Sequence, residues 1–280
     1  MADPLVSTAW LAEHLQAPDV RIIDASWYFP QEERDPRAEY ALAHIPGAVF
    51  FDIDEISDET SDLPHMLPGP VKFASRMRKL GLGDGSRMVV YDQHGLRSAA
   101  RVWWALRAMG HEDVVVLDGG LPKWIAEGRP IEDIVPPPRE RHFTARYSND
   151  LVRDLGQVKR ALETGREQLV DARPAGRFAG EAPEPRPGLR GGHMPGALSV
   201  PAASLLAPDG TMKPADQLAA DFAKAGVDIH KPVVATCGSG ITAAIIALAL
   251  ARLGKDRTAV YDGSWAEWGG RADTAVAMGA

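Results

Sequence analysis

Cysteine is nearly absent: Cys237 is the only one among 280 residues. A solitary thiol excludes an internal disulfide, a cysteine-rich structural zinc site and a two-cysteine exchange motif. Also missing is any uncharged apolar run of about 18 residues or more, the length that a membrane-spanning helix requires. Basic residues are in the minority, with 31 Lys and Arg against 38 Asp and Glu, and the net charge of -7 argues against a nucleic acid or an anionic membrane as partner. The opening MADPLVSTAW lacks the basic and apolar parts of a secretory signal, so a cytoplasmic location is expected. An acidic, solvated surface suits a monomer. What remains is an ordinary globular composition, 45% hydrophobic and 25% charged, long enough for one large core or two medium ones.

The chain repeats itself. Ile22-Ile23-Asp24-Ala25 returns as Leu169-Val170-Asp171-Ala172, and Ala43-His44-Ile45-Pro46-Gly47-Ala48 returns as Gly192-His193-Met194-Pro195-Gly196-Ala197. Leu117-Asp118-Gly119-Gly120 with Trp124 returns as Tyr261-Asp262-Gly263-Ser264 with Trp268. Landmarks in the same order at a nearly constant offset indicate a duplicated domain. Residues 1–135 are expected to form an N-terminal copy, 136–150 a linker containing Pro136-Pro137-Pro138, and 151–280 a C-terminal copy.

Inside each copy, short apolar runs alternate with stretches of helical period. Val20–Ala25, Met88–Asp92 and Asp113–Leu117 read as buried strands and Ser98–Met109 as a helix. In the second copy the strands are Leu169–Ala172, Val233–Thr236 and Thr258–Tyr261, and the helix is Thr242–Leu253. The fold class is therefore α/β, two tandem domains, each a parallel sheet flanked by helices. His44 and His193 stand in matching His-x-Pro-Gly-Ala turns of both copies and read as structural, and Trp124 and Trp268 read as core residues.

Cys237 follows the strand Val233–Thr236 and precedes a helix, at the sheet edge where open parallel sheets bind ligands. Gly238 and Gly240 permit a loop whose amides curl over a common centre, and the following helix adds its positive end. Both favour a charged thiolate, the form in which cysteine is a nucleophile. The first copy carries Asp92 at the corresponding position, so only the C-terminal domain can perform thiol chemistry. A phosphatase loop would place an arginine six positions after the cysteine, where this chain has Ala243. No peptide-binding motif accompanies the loop to suggest a protease. A thiolate that carries one soft atom remains.

Cys237-Gly238-Ser239-Gly240-Ile241-Thr242, the two copies, the paired His-x-Pro-Gly-Ala segments and Asp262-Gly263-Ser264-Trp265 resemble the tandem rhodanese-like sulfurtransferases across essentially the whole chain. Thiosulfate-using members typically carry Arg-Lys after the cysteine and mercaptopyruvate-using members Gly-Ser, as here. The resemblance implies a cofactor-free, metal-free transferase that takes sulfur from 3-mercaptopyruvate as a Cys237 persulfide, releases pyruvate, and passes the sulfur to a thiol, with thioredoxin as the acceptor, or to cyanide. It implies a catalytic set of Cys237, Ser239, His65 and Asp54, the last three as a proton relay. It also implies that Arg177 and Arg186 grip the substrate carboxylate and ketone, and that Gly238, Gly240, Ile241 and Thr242 line the binding loop. A thiosulfate sulfurtransferase and a non-catalytic rhodanese-like binding module are the alternatives.

Overall fold

Ten short strands among the described residues make two sheets, and both run parallel throughout. The computed structural model describes residues 3–137 and 139–279; Pro138, the third proline of the expected linker, lies outside them. The first sheet contains β1 (Leu5–Val6), β2 (Val20–Asp24), β3 (Val49–Phe50), β4 (Arg87–Tyr91) and β5 (Val114–Leu117), in the order β1-β5-β4-β2-β3. The second contains β6 (Val152–Arg153), β7 (Gln168–Asp171), β8 (Leu198–Ser199), β9 (Val233–Thr236) and β10 (Ala259–Tyr261), in the equivalent order β6-β10-β9-β7-β8. The first sheet carries helices α1 (Thr8–His14), α2 (Pro36–Leu42), α3 (Pro70–Lys79), α4 (Ala99–Ala108) and α5 (Gly120–Ala126). The second carries α6 (Leu155–Thr164), α7 (Ala175–Ala179), α8 (Ala215–Lys224), α9 (Ala243–Arg252) and α10 (Ser264–Trp268). The central strands and helices α4 and α9 fall within one residue of the sequence reading.

Central strands are apolar without alternation because both faces are covered: all four residues of β9 and all of β5 are buried. Helix α9 is apolar all round, AAIIALALA, and every residue from Ala243 to Ala251 is buried. Each large side chain so buried contributes roughly 1.5–3 kcal/mol. Trp124 and Trp268 occupy matching places, both buried, their indole N–H groups donating to Pro130 O and Ala275 O, each at 2.7 Å. His44 and His193 are buried, stack on Tyr40 (4.2 Å) and Phe178 (3.8 Å), and hydrogen-bond backbone carbonyls through Nδ1. Their roles are packing and turn closure.

Two compact units emerge. The first comprises residues 1–58, 67–148 and 207–212, and the second 59–66, 149–206 and 213–280. A division by position along the chain assigns each loop to its flanking elements, so it does not foresee that 59–66 counts with the second unit and 207–212 with the first. His65 therefore belongs to the unit that holds Cys237, and Asp54 to the other. Among the described residues no helix is long and apolar enough to cross a membrane.

Candidate active site

Strand order puts the candidate site at a switch point of the second sheet. From β9 the chain crosses by α9 to β10 on one side, whereas from β7 it proceeds to β8 on the other, so the carboxyl ends of β7 and β9 flank the topological switch point. Cys237 leaves the end of β9, and Arg173 leaves the end of β7. The two exits are tied together by Ala172 N–H donating to Thr236 O at 2.8 Å.

Cys237 is buried, and six residues, 237–242, separate β9 from α9, with Thr242 as the helix N-cap. Gly240 has φ +80, a left-handed conformation that strains other residues by about 1 kcal/mol or more. Gly238 differs from expectation: its φ is not in the left-handed region, and its freedom of backbone angle is not what the loop uses. A Cβ there would stand 3.1 Å from Arg177 Nη2, so Gly238 keeps space for a guanidinium beside the Cys237 loop. Ser239 and Ile241 are buried and Thr242 is half-buried.

Arg177, on α7, turns Nε and Nη2 to the carboxylate of Glu184. Glu184 also accepts from Arg173 Nη1 at 2.8 Å, and Arg173 Nη2 donates to Asp171 Oδ2 at 2.7 Å. Asp171, Arg173 and Glu184 are almost entirely buried, and Arg177 is 17% exposed. Burial pulls the Arg173 guanidinium down, but the carboxylates of Asp171 and Glu184 outweigh it and hold the group above the ordinary arginine value. Arg173 also lies over the Trp265 ring, 4.2 Å from its centroid. The quartet of alternating charges is neutral as a whole and fixes Arg177 against the cysteine loop. The sequence reading missed its two buried carboxylates and Arg173; the signal was a glutamate flanked by prolines, Pro183-Glu184-Pro185, in a stretch dense with arginine.

Arg186 and His65 meet: Arg186 Nη2 stands 3.2 Å from His65 Nε2. Arginine can only donate, so Nε2 is the accepting nitrogen and the ring proton sits on Nδ1. His65 is buried and has φ +60. The offset of 145 that relates Pro70 of α3 to Ala215 of α8 pairs His65 with Gly210, whose φ is +79. A histidine thus occupies a left-handed position that its counterpart fills with glycine, strain of about 1–2 kcal/mol that marks a placed side chain. Asp54, in the first unit, accepts Trp27 Nε1–H on Oδ2 at 3.0 Å and Ser57 Oγ–H on its carbonyl at 2.6 Å.

Ser264, in the Asp262-Gly263-Ser264-Trp265 segment, is buried, and its Oγ accepts the Cys237 N–H at 3.2 Å. In the first unit, Asp92 ends β4 as Cys237 ends β9. Its carboxylate accepts the amides of His94 (2.8 Å), Arg97 (2.6 Å) and Ala99 (2.8 Å). The fold therefore aims several backbone N–H groups at one negative side chain at this position. The loop with the thiol is one residue shorter, the helix N-caps being Ser98 and Thr242. No group of three or more His, Cys, Asp or Glu among the described residues could hold a metal ion.

Comparison with known proteins places these features in context. The rhodanese-like domain matches residues 7–127 and again 154–271. The chain is 47% identical to the 3-mercaptopyruvate sulfurtransferase of Escherichia coli strain K12, over 97% of this chain and 96% of that protein. It is 43% identical to a thiosulfate sulfurtransferase of Rattus norvegicus, over 98% and 95% of the two chains. The crystal structure of the 3-mercaptopyruvate sulfotransferase SseA from Escherichia coli superposes with a TM-score of 0.87 at 44% identity, covering 94% of this chain and 99% of the other.

Proposed function

The chain belongs to the rhodanese-like domain family, and on that premise we propose that it is a sulfurtransferase that takes sulfur from 3-mercaptopyruvate on Cys237 and delivers it to a thiol. The observation that carries the reading is the place of Cys237, buried at the carboxyl end of β9 beside Arg177, at the position where in the first unit the Asp92 carboxylate accepts three backbone amides. At the same point the second unit carries a thiol instead of a carboxylate, and a thiolate or persulfide anion is the kind of group that backbone amides of the following loop would stabilise.

In the proposed cycle the Cys237 thiolate attacks the sulfur of the donor. A sulfur–sulfur bond forms, the carbon–sulfur pair departs as the enolate of pyruvate, and the proton released by the donor thiol ends on carbon. Cys237 is left as a persulfide, one difficult transfer having become two easier ones. An acceptor thiol then removes the outer sulfur and restores the thiolate. No cofactor or metal takes part.

Arg177 and Arg186 hold the carboxylate and ketone of the donor, since a guanidinium grips a carboxylate through two parallel bonds. Ser239, His65 and Asp54 move the proton, a role for which a histidine of fixed tautomer is suited. Thioredoxin as acceptor, a monomeric state and a cytoplasmic location belong to the same proposal.

The likeness to a thiosulfate-using relative favours a second reading, in which thiosulfate is the preferred donor. Measuring kcat/KM on both donors decides between them. A clear preference for 3-mercaptopyruvate is expected from Gly238-Ser239, and a strong preference for thiosulfate would overturn the assignment. A non-catalytic binding module would show no turnover on either donor.

A further inference from the structure

We infer that the first turn of α10 is a clamp that positions the nucleophile loop, with Ser264 and Ala266 as positioning residues; the inference rests on Cys237 being the sulfur carrier. Three hydrogen bonds converge on two consecutive residues. Ser264 Oγ accepts Cys237 N–H at 3.2 Å, Trp265 N–H donates to Cys237 O at 2.9 Å, and Ala266 N–H donates to Gly238 O at 2.8 Å. Ser264 Oγ–H is itself committed to Tyr261 O at 2.8 Å, which leaves its lone pairs for the cysteine amide. Both backbone polar groups of Cys237 and the next carbonyl are thereby fixed, leaving its side chain only rotation about χ1.

The first unit supplies the comparison. There Gly120, Leu121 and Pro122 stand where Ser264, Trp265 and Ala266 stand in the second. Leu121 N–H still donates to Asp92 O at 3.0 Å. Glycine offers no hydroxyl and proline no N–H, so the other two bonds have no equivalent. A Cβ on Gly120 would lie 2.4 Å from Asp92 O, so that position cannot accept a serine at all. Ser264 in turn has φ +48, where glycine would be the unstrained residue, and it is completely buried. The copy with a thiol ties its loop to this turn by three bonds and tolerates a left-handed serine to do so; the copy without one ties its loop to the equivalent turn by one.

Transplanting the first-unit residues tests this. Ser264→Gly and Ala266→Pro each remove one bond with a residue that the same turn accommodates elsewhere in the molecule, and Ser264→Ala removes the acceptor while keeping the strain. All three are expected to lower kcat on 3-mercaptopyruvate by about tenfold, the scale of a slightly misplaced nucleophile, with KM changed by less than about twofold. Amide exchange across residues 238–242 should accelerate in each. Ser264→Gly should melt above Ser264→Ala yet lose as much turnover. The clamp is refuted if kcat simply follows Tm across the variants, or if Ser264→Gly and Ala266→Pro match the wild type in turnover and loop exchange. Loop exchange is measured without any donor, so a wild type that carries no sulfur would defeat the functional reading alone, and unchanged exchange would defeat the clamp alone.

Discussion

Replacing Asp24 with asparagine removes a carboxylate that the first core holds under strain. Asp24 ends β2 and is completely buried, and Oδ1 accepts Ser26 N–H at 2.9 Å. Its counterpart Asp171 is followed two residues later by Arg173, whereas Asp24 is followed by Ser26. Burial pushes the Asp24 carboxyl up from 3.8 to about 6, the hydrogen bonds with Ser26 offsetting part of the rise. Between about pH 4 and pH 6 the folded chain keeps a proton that the unfolded chain has released, so stability falls as pH rises through that window. Below it both states are protonated and nothing is lost. Above it the penalty is complete, the rise from 3.8 to about 6 corresponding to roughly 3 kcal/mol. Asparagine is neutral throughout. Asp24→Asn is therefore expected to stabilise the protein by about 2–3 kcal/mol near pH 7.5, with the gain shrinking toward zero near pH 4. Urea unfolding of both proteins across that range measures the difference. A gap that does not change with pH, or an asparagine variant that is less stable at neutral pH, would refute the reasoning.

Other outcomes follow from the second unit. Arg177→Lys cannot hold Glu184 and a substrate carboxylate in the same planar geometry, and KM for 3-mercaptopyruvate should rise at least about tenfold, read from initial rates. Gly238→Ala should act through the same arginine, raising KM because its methyl group displaces the guanidinium, whereas Gly240→Ala should lower Tm and kcat because φ +80 strains alanine. The two glycine variants separate in a plot of kcat against KM; identical effects would contradict the distinct roles given to them.

The parts of the fold that could be read in the sequence are those where burial leaves a periodic or repeated trace. Val233–Thr236 is an apolar run because both faces of β9 are covered, and its boundaries agree with the structure. Edge strands such as Leu5–Val6 and Leu198–Ser199 are only two residues long, too short to carry a period of two. Cys237 could be placed at a strand-to-helix connection because the apolar run Val233–Thr236 before it and the apolar helical stretch after it both leave a sequence trace. Glu184 was not, because its partners Arg173 and Arg177 are joined to it across a proline-rich stretch with no regular spacing. Ser264 was hidden for another reason: a left-handed φ is a property of backbone geometry, and serine gives no hint of it. The same applies to His65, whose strained turn emerges only when it is paired with Gly210.

The most direct measurement of the central claim is the mass of the protein after incubation with 3-mercaptopyruvate, with peptide mapping to locate any change and pyruvate assayed alongside. The account predicts one additional sulfur, carried on Cys237, with pyruvate released in equal amount and neither seen in Cys237→Ser. Pyruvate formed without sulfur on Cys237, or a Cys237→Ser protein that turns over like the wild type, would contradict it.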